Sequence, residues 1–327
     1  MDLLKMPEFL GQGTEDTTQR PPDLCVLQGW KESMLISYNA AVKKFGQFMK
    51  SKRESIYHLP LTPDVIYRFV TWAGRGEGDN NSGKITAQSL TKYLHGLKAW
   101  HLYHNKPYPY QTKPRVKLML KASGRHDACI PPKPGKAPFL IIDLSNLYSY
   151  LTGRGAEAEA VSDLAVVAFW GMARLAKLTN ARQHGPIPYK QGLTTNDVQT
   201  YKGATLLSIY KAKTAKPGEI QTIKLRPILS QLCPVEAIRR HLAKPSSAGD
   251  SIFAAWNTLY RPKLSGHSFK VGGASLRHAV GVKIDDIKSL GRWTSDCYQQ
   301  YIKPLSQEEV TTSLSLLQIP RVKHRSI

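Results

Sequence analysis

Near its carboxyl end the chain reads Gly-His-Ser-Phe-Lys-Val-Gly-Gly-Ala over residues 266–274 and Leu-Gly-Arg-Trp-Thr-Ser-Asp-Cys-Tyr-Gln-Gln-Tyr over residues 290–301. In the first stretch, His267 and Lys270 lie three residues apart at a predicted helix start, so both side chains can face one anion. The amino terminus of a helix itself favours a phosphate. In the second stretch, Tyr301 follows a helix junction broken by a glycine and, considered alone, is typical of a buried aromatic residue.

Two basic residues earlier in the chain complete the pattern. Arg174 lies in a strongly apolar helix predicted over residues 163–178, where a guanidinium is costly to bury unless it meets a partner or a ligand. Lys213 lies at the turn of a hairpin that the residues around 205–210 and 220–225 predict. Each residue alone is more typical of a solvated side chain. The order of arginine, hairpin lysine, His-x-x-Lys, Gly-Arg-Trp and tyrosine is far more specific than any one member.

This order resembles the tyrosine recombinase, or phage integrase, family, and it is most similar to the eukaryotic Crypton and DIRS-like transposon recombinases. The resemblance covers residues 29–310. It implies a mainly α-helical fold with a small β-hairpin or sheet, built as a two-domain, C-shaped clamp on double-stranded DNA. It further implies site-specific cleavage and rejoining of DNA strands, in recombination or integration, through a 3′-phosphotyrosine and without a metal or other cofactor.

The resemblance also implies a role for each matching residue. Tyr301 would be the nucleophile that attacks a DNA phosphodiester, and Arg174 would be the first arginine that binds the phosphate oxygens. Lys213 matches the lysine that protonates the leaving 5′ oxygen. His267 matches the histidine that assists proton transfer.

Two assignments stay open in the sequence. The family has a histidine or tryptophan shortly before the nucleophile, and here either Arg292, nine residues before Tyr301, or Trp293, eight residues before it, takes that position. Tyr298 lies three residues before Tyr301, nearly on the same helical face, so geometry alone does not exclude it as the nucleophile.

The chain departs from the family at two positions. Lys270 stands where the family has its second arginine, which keeps the charge but loses the planar, bidentate fork. Lys177 replaces a glutamate common three residues after the first arginine. Both favour a rival function, a non-catalytic DNA-binding protein on the same fold that serves transcription, chromosome structure or silencing. A third class, a type IB topoisomerase, shares the chemistry but would need neither specific sites nor a tetramer.

Charge supports a nucleic-acid partner. The 327 residues include 46 lysines and arginines against 24 acidic residues, a net charge of +22. Both large segments share the excess, which predicts a polyanion held between them, most often a nucleic acid. The resemblance implies that this polyanion is double-stranded DNA. The resemblance implies a homo-oligomer, a dimer or tetramer, on that DNA. Four scattered cysteines predict a reducing compartment, the cytosol or the nucleus, and no apolar run predicts a membrane span. For a recombinase of this kind we expect the nucleus.

Composition and helical periodicity divide the chain into four segments. The polar residues 1–28 predict a flexible tail, and helical patterns over 29–127 predict a helical module. The resemblance implies that this module is the core-binding (SAM-like) domain of the family. A basic, proline-rich linker is predicted over 128–138. The remaining residues, 139–327, match the tyrosine recombinase catalytic domain.

A terminal helix is predicted from a capping box of Ser306 and Glu309. In the family such a helix docks on a neighbouring protomer, but packing on its own domain fits the apolar pattern equally well.

Three histidines, His95, His101 and His104, lie on or near one predicted helix. No carboxylate or cysteine completes a metal site with them, so no metal ligand is predicted.

Overall fold

The computed structural model describes residues 1–15, 20–54, 56–76, 83–131, 137–179, 192–210, 215, 218–243 and 266–317. The chain divides into two units, Met1–Lys133 and Pro134–Ile327. The division falls within the predicted linker.

The first unit is α-helical in its described residues. Its helices are α1 (Pro7–Leu10), α2 (Pro21–Gln28), α3 (Glu32–Ser51), α4 (Pro63–Ala73), α5 (Ala87–Tyr103) and α6 (Lys113–Ala128). Helices α3 and α5 pack closely because Gly96 has no side chain; a Cβ there would lie 2.6 Å from Cβ of Ala41. Aromatic residues dominate the core, with Phe45 at the centre of contacts to Phe48 and Phe69.

The first 28 residues differ from the flexible tail that the sequence predicts. Met6 and Phe9 are fully buried, and Leu27 is almost so, in the core of the first unit. Asn39 accepts a hydrogen bond from the Phe9 N–H at 2.8 Å, which ties α1 to α3. The prediction of a tail is therefore wrong for residues 1–15 and 20–28. A few apolar side chains anchor a segment whose average composition is polar.

The second unit contains seven described α-helices and a three-stranded sheet. They are α7 (Ile141–Leu151), α8 (Ala156–Trp170), α9 (Leu175–Leu178), β1 (Val198–Tyr201), β2 (Ala204–Ile209), β3 (Gln221–Leu225), α10 (Pro234–Leu242), α11 (Ser268–Ala279), α12 (Ile284–Gly291) and α13 (Gln307–Leu317). The sheet is antiparallel in the order β1-β2-β3, and Leu207 pairs with Ile223. The predicted hairpin is confirmed as β2 and β3, and the structure adds β1.

Helix α8 forms the centre of the second unit. Its residues Ser162 to Phe169 are all buried, because it packs against α7, α10 and α11. Helix α11 approaches it closely through two glycines. A Cβ at Gly272 would lie 1.9 Å from the Phe139 carbonyl oxygen, and one at Gly273 would lie 2.3 Å from that of Phe169. These close contacts fix the position of helix α11 against the core.

The predicted helix over residues 163–178 is wrong in one respect, because it is interrupted. Helix α8 ends at Trp170 and α9 begins at Leu175. Between them, Met172 has a φ of 42°, and Arg174 is extended, with φ −81° and ψ 134°. Arg174 therefore lies at the start of a new turn rather than within an apolar helix.

The terminal helix α13 begins at the predicted capping box, which is confirmed. The Glu309 N–H donates to Ser306 Oγ at 3.1 Å, and the Ser306 N–H donates to Glu309 Oε2 at 2.7 Å. The helix packs against α7 of its own unit, with Val310 and Ser313 buried.

Within the described residues, no helix is long and apolar enough to cross a membrane.

Candidate functional site

A cavity of about 100 Å³ in the second unit brings together residues from four places in the chain. The residues come from the α8–α9 turn and α9, the sheet, α11, and the end of α12 with the turn that follows it. Four cationic side chains line the cavity: Arg174, Lys177, Lys270 and Arg292. Among the described residues that line it there is no carboxylate. Such a cavity favours an anion.

Tyr301 and Arg174 meet in this cavity. Arg174 Nη2 donates a hydrogen bond to the Tyr301 hydroxyl oxygen at 2.7 Å, across 127 residues of sequence. Arg174 Nε is buried and has no hydrogen-bond partner among the described residues. A buried guanidinium N–H without a partner is unfavourable, and an anion oxygen that reached this donor would satisfy it.

Two arginines hold the turn that presents Arg174. Arg277 Nη2 donates to the Trp170 carbonyl oxygen at 2.7 Å, and Arg292 donates to the carbonyl oxygens of Gly171 and Met172 at 3.2 and 2.9 Å. These carbonyls end α8, where the helix dipole favours cations. Burial lowers the pKa of both arginines to about 10, so both stay charged at neutral pH.

Trp293 lies against Tyr301. The indole is 8% exposed, and the two ring centroids are 5.1 Å apart at an interplanar angle of 45°. Gly291 makes room for the indole, because a Cβ there would lie 1.9 Å from its ring. Arg292, the residue between Gly291 and Trp293, has a left-handed backbone conformation with a φ of 58°. The structure therefore places Trp293 beside Tyr301 and directs the Arg292 guanidinium to backbone carbonyls.

Lys270 lies in the first turn of α11 and is 8% exposed. Its Nζ donates to the Gly291 carbonyl oxygen at 2.7 Å and lies 4.2 Å from the ring centroid of Trp293 and 5.5 Å from that of Tyr301. Burial, and then repulsion from Arg292 and Arg174, lower the pKa of Lys270 to about 7. Near neutral pH it is therefore protonated in only about half of the molecules.

No protein-family model matches the sequence, and no curated protein does. Solved structures match its fold. The site-specific recombinase XerH bound to difH substrate, in a pre-cleavage complex, aligns with a TM-score of 0.50 at 12% identity, over 96% of this chain and 89% of that one. The Tn1549 transposon integrase in complex with transposon right end DNA gives 0.52 at 9% identity, over 91% and 99%. The XerH post-cleavage complex with palindromic difH gives 0.52 at 13%.

The fold is that of the tyrosine recombinases. The predicted fold class, mainly α-helical with a small sheet, is confirmed. At these identities the likeness concerns the fold, and the assignment of residues depends on the geometry of the cavity itself.

The structure brings five of the seven predicted site residues around one cavity: Arg174, Lys270, Arg292, Trp293 and Tyr301. Among the described residues, His267 is the one predicted site residue that does not line it. His267 is half-buried at the amino end of α11, one turn before Lys270. Lys213 lies outside the described residues.

Tyr298 is only three residues from Tyr301 in the sequence, but its side chain packs outside the cavity. It packs on the apolar cluster around Trp293, and Lys288 Nζ lies 5.3 Å from its ring centroid. It is not among the residues that line the cavity.

Sequence analysis missed Arg277 as a structural part of the site. Its guanidinium lies 5.5 Å from the Trp170 ring and holds the α8 end by one hydrogen bond, to the Trp170 carbonyl oxygen. An arginine seven residues after Lys270 in a predicted helix gives no specific signal of this role in the sequence.

Two of the three histidines, His95 and His101, lie in α5, and His104 follows its end. His101 is fully buried, with Nδ1 2.7 Å from the Leu97 carbonyl oxygen and Nε2 accepting from the Leu61 N–H at 3.1 Å. His95 lines a separate cavity of about 370 Å³ between α5 and α6. Among the described residues, no group of three His, Cys, Asp or Glu side chains is arranged to hold a metal ion.

Proposed function

We propose that the chain cleaves and rejoins DNA strands at specific sites, with Tyr301 as the nucleophile and a 3′-phosphotyrosine as the intermediate. The observation that carries the proposal is the 2.7 Å hydrogen bond between Arg174 and the Tyr301 hydroxyl, in a cavity lined by four basic side chains. A phosphodiester entering this cavity would meet a nucleophilic oxygen and cationic donors together.

The reaction follows from this arrangement. The Tyr301 hydroxyl gives up its proton, in the transfer that His267 would assist, and its oxygen attacks phosphorus. The P–O bond to the 5′ oxygen breaks, that oxygen takes up the proton that Lys213 would supply, and the DNA 3′ end stays on the tyrosine. Negative charge grows on the non-bridging oxygens, and the donors of Arg174, with Lys270 when protonated, stabilise it. The same guanidinium stabilises the charge that develops on the attacking oxygen. The phosphotyrosine ester retains the energy of the broken phosphodiester bond, so that the reverse reaction can rejoin the strand.

We assign Trp293, not Arg292, to the position that the family fills with histidine or tryptophan. Trp293 packs on the Tyr301 ring, whereas Arg292 is engaged with three backbone carbonyls, those of Gly171, Met172 and Leu290. Arg292 would then act through Arg174, by fixing the turn that carries it.

The remaining roles depend on the resemblance. Lys213 would protonate the leaving 5′ oxygen, and His267 would assist proton transfer. Similarity of the motifs to Crypton and DIRS-like elements supports a transposable element as the origin and the nucleus as the site of action.

Double-stranded DNA is the proposed partner, bound as a clamp by both basic units and by a dimer or tetramer of the chain. The net charge of +22 supports this, as do the structural neighbours, since XerH and the Tn1549 integrase were solved with DNA.

A nicked duplex that traps the covalent intermediate tests the proposal. Because the target sequence is not known, duplexes bound by the protein are first selected from a randomised pool, and a strand nick is then placed along the selected sequence. We expect a covalent adduct with the wild-type protein and with Tyr298→Phe, but none with Tyr301→Phe, which should still bind the duplex. An adduct that survives in Tyr301→Phe and is lost in Tyr298→Phe would overturn the assignment.

A non-catalytic DNA-binding protein is the second candidate. The partly uncharged Lys270 favours it, because a neutral amine stabilises developing negative charge less than a guanidinium does. Lys177 favours it as well, because it stands where the family has a glutamate, so that the neighbouring basic groups lose a partner and gain repulsion. Its signature would be sequence-selective binding without an adduct on any nicked substrate.

A further inference from the structure

Ser275 connects the segment that carries Tyr301 to helix α11. The side chain is fully buried. Its Oγ accepts a hydrogen bond from the Lys303 N–H at 2.9 Å and donates one to the Tyr301 carbonyl oxygen at 3.4 Å. One hydroxyl thus binds the backbone on both sides of Ile302.

This position of the hydroxyl is unusual for a serine within a helix. Such a side chain commonly bonds the carbonyl oxygen of the preceding turn of its own helix. Ser275 instead uses both its hydroxyl hydrogen and its hydroxyl oxygen for hydrogen bonds to the backbone of another segment, at Tyr301 and Lys303. Two other serines on described helices, Ser51 and Ser313, do bond back to carbonyls of their own helices.

The backbone around Tyr301 has little other support. Tyr301 ends a 3₁₀ turn over Asp296–Gln300, and no regular element follows until Gln307. The Tyr301 N–H donates to the Tyr298 carbonyl oxygen at 2.8 Å, which fixes the entry to this residue. Ser275 fixes the exit from it.

Helix α11 is a suitable anchor because it also carries Lys270. Its close approach to Phe139 and Phe169 through Gly272 and Gly273 fixes its depth in the unit. A hydrogen bond from this helix to the Tyr301 backbone therefore fixes the nucleophile relative to a cation that lines the same cavity.

We infer that Ser275 is a positioning residue for the nucleophile: its hydroxyl holds the backbone of residues 301–303, so that the Tyr301 oxygen stays beside Arg174. The inference rests on the proposed function, in which Tyr301 attacks the DNA. Displacing a nucleophile by about 1 Å slows a reaction by up to roughly 100-fold, whereas ground-state binding of the duplex depends on the charges of the whole surface.

The test compares Ser275→Ala with Ser313→Ala. Ser313 is also a buried serine of the second unit, but its hydroxyl donates within α13, to the Glu309 carbonyl oxygen at 2.6 Å. Ser275→Cys is a second variant, which nearly keeps the volume and offers only a weak hydrogen bond. Single-turnover cleavage of the nicked duplex, duplex affinity and thermal unfolding are measured for each.

For Ser275→Ala we expect cleavage slowed by about 10- to 100-fold with duplex affinity unchanged within about twofold, and a smaller loss for Ser275→Cys. Ser313→Ala should cleave like the wild type. Cleavage by Ser275→Ala at the wild-type rate would overturn the inference. Equal slowing by Ser313→Ala would overturn it as well, because the effect would then be general loss of stability.

Amide hydrogen exchange separates this inference from the proposed function. The Lys303 N–H donates to Ser275, so its exchange should become faster in Ser275→Ala and stay unchanged in Ser313→Ala. Unchanged exchange in Ser275→Ala would refute the role of Ser275, whatever the activity. A wild-type protein that forms no adduct would refute the proposed function instead.

Discussion

Lys270 is a buried cation for which the described residues offer two aromatic rings and a carbonyl oxygen, but no carboxylate. Desolvation of the ammonium is therefore only partly offset, and the two neighbouring arginines add repulsion. A bound phosphate would supply the missing negative charge. The protonation of Lys270 should consequently be linked to the binding of DNA.

For the wild-type protein we expect affinity for a duplex to fall as the pH rises through about 7. The pKa of Lys270 in the free protein lies near 7, and a bound phosphate raises it, so that binding takes up a proton above that pH. Lys270→Arg stays charged throughout and should show a shallower dependence. The dissociation constants of both proteins, measured by fluorescence anisotropy at constant ionic strength from about pH 6 to about pH 9, provide the check.

The same variant has a predicted effect on rate. At about pH 8, Lys270→Arg should form the covalent adduct about 10-fold faster, because one preorganised donor is worth up to roughly 100- to 1,000-fold. Identical pH slopes in the two proteins, or a slower Lys270→Arg, would show that the pocket is adapted to a neutral lysine.

We expect Arg292 to contribute to the stability of the fold more directly than to the chemical step. Arg292→Ala leaves the carbonyl oxygens of Gly171 and Met172 without their partner, and we expect a loss of about 1–3 kcal/mol in the free energy of unfolding. Arg239→Ala, which removes an exposed arginine of α10, is the control and should change little. Urea unfolding measures both. If Arg292→Ala keeps full stability but loses cleavage, Arg292 acts directly on the DNA.

The choice between Arg292 and Trp293 shows what spacing cannot decide. Counting back from Tyr301 leaves both residues open, but the left-handed backbone at Arg292 and the absence of a side chain at Gly291 turn the indole toward the tyrosine. Both features depend on how α12 ends against the core, which is a tertiary property.

Among the elements, those with a strong local pattern were predictable. Strands β2 and β3 alternate buried and exposed residues, and the α13 capping box is read directly from Ser306 and Glu309. The break between α8 and α9 was not predictable, because its carbonyls are satisfied by arginines about 100 residues later in the chain. Helix α1 was not predicted, because only two buried side chains, Met6 and Phe9, anchor it and the surrounding composition is polar.

Helix α5 offers a pH prediction for the first unit. Burial lowers the pKa of His101, and its neutral ring binds Leu97 and Leu61 through both nitrogens. Because the unfolded chain binds this proton more readily, stability is fully present above the unfolded pKa of about 6.5 and is lost as the pH falls through the lowered folded value.

We therefore expect acid to lower the unfolding temperature of the wild type more than that of His101→Gln. His58→Gln, which replaces an exposed histidine of the same unit, is the control and should keep the wild-type response. The check is thermal unfolding at neutral pH and at about pH 5. Equal acid responses in the wild type and His101→Gln would contradict the assignment.

At the scale of the whole molecule, charge is the property that the sequence shows most directly. An excess of 22 positive charges over 327 residues, shared by both units, predicts contacts with many phosphates. With about six to ten contacts, the logarithm of the association constant should fall with the logarithm of the salt concentration at a slope of roughly −5 to −9. Titrations of one duplex at several salt concentrations give the slope, and a value near zero would argue against DNA as the partner.

Identification of the residue that becomes covalently joined to DNA is the most direct test of Tyr301 as the nucleophile. Wild-type protein is incubated with the nicked duplex, the DNA is digested to a short remnant, and the peptides are sequenced by tandem mass spectrometry. We expect a nucleotide remnant on Tyr301 and an unmodified Tyr298. A remnant on Tyr298, or sequence-selective binding with no modified tyrosine at all, would contradict the role of Tyr301.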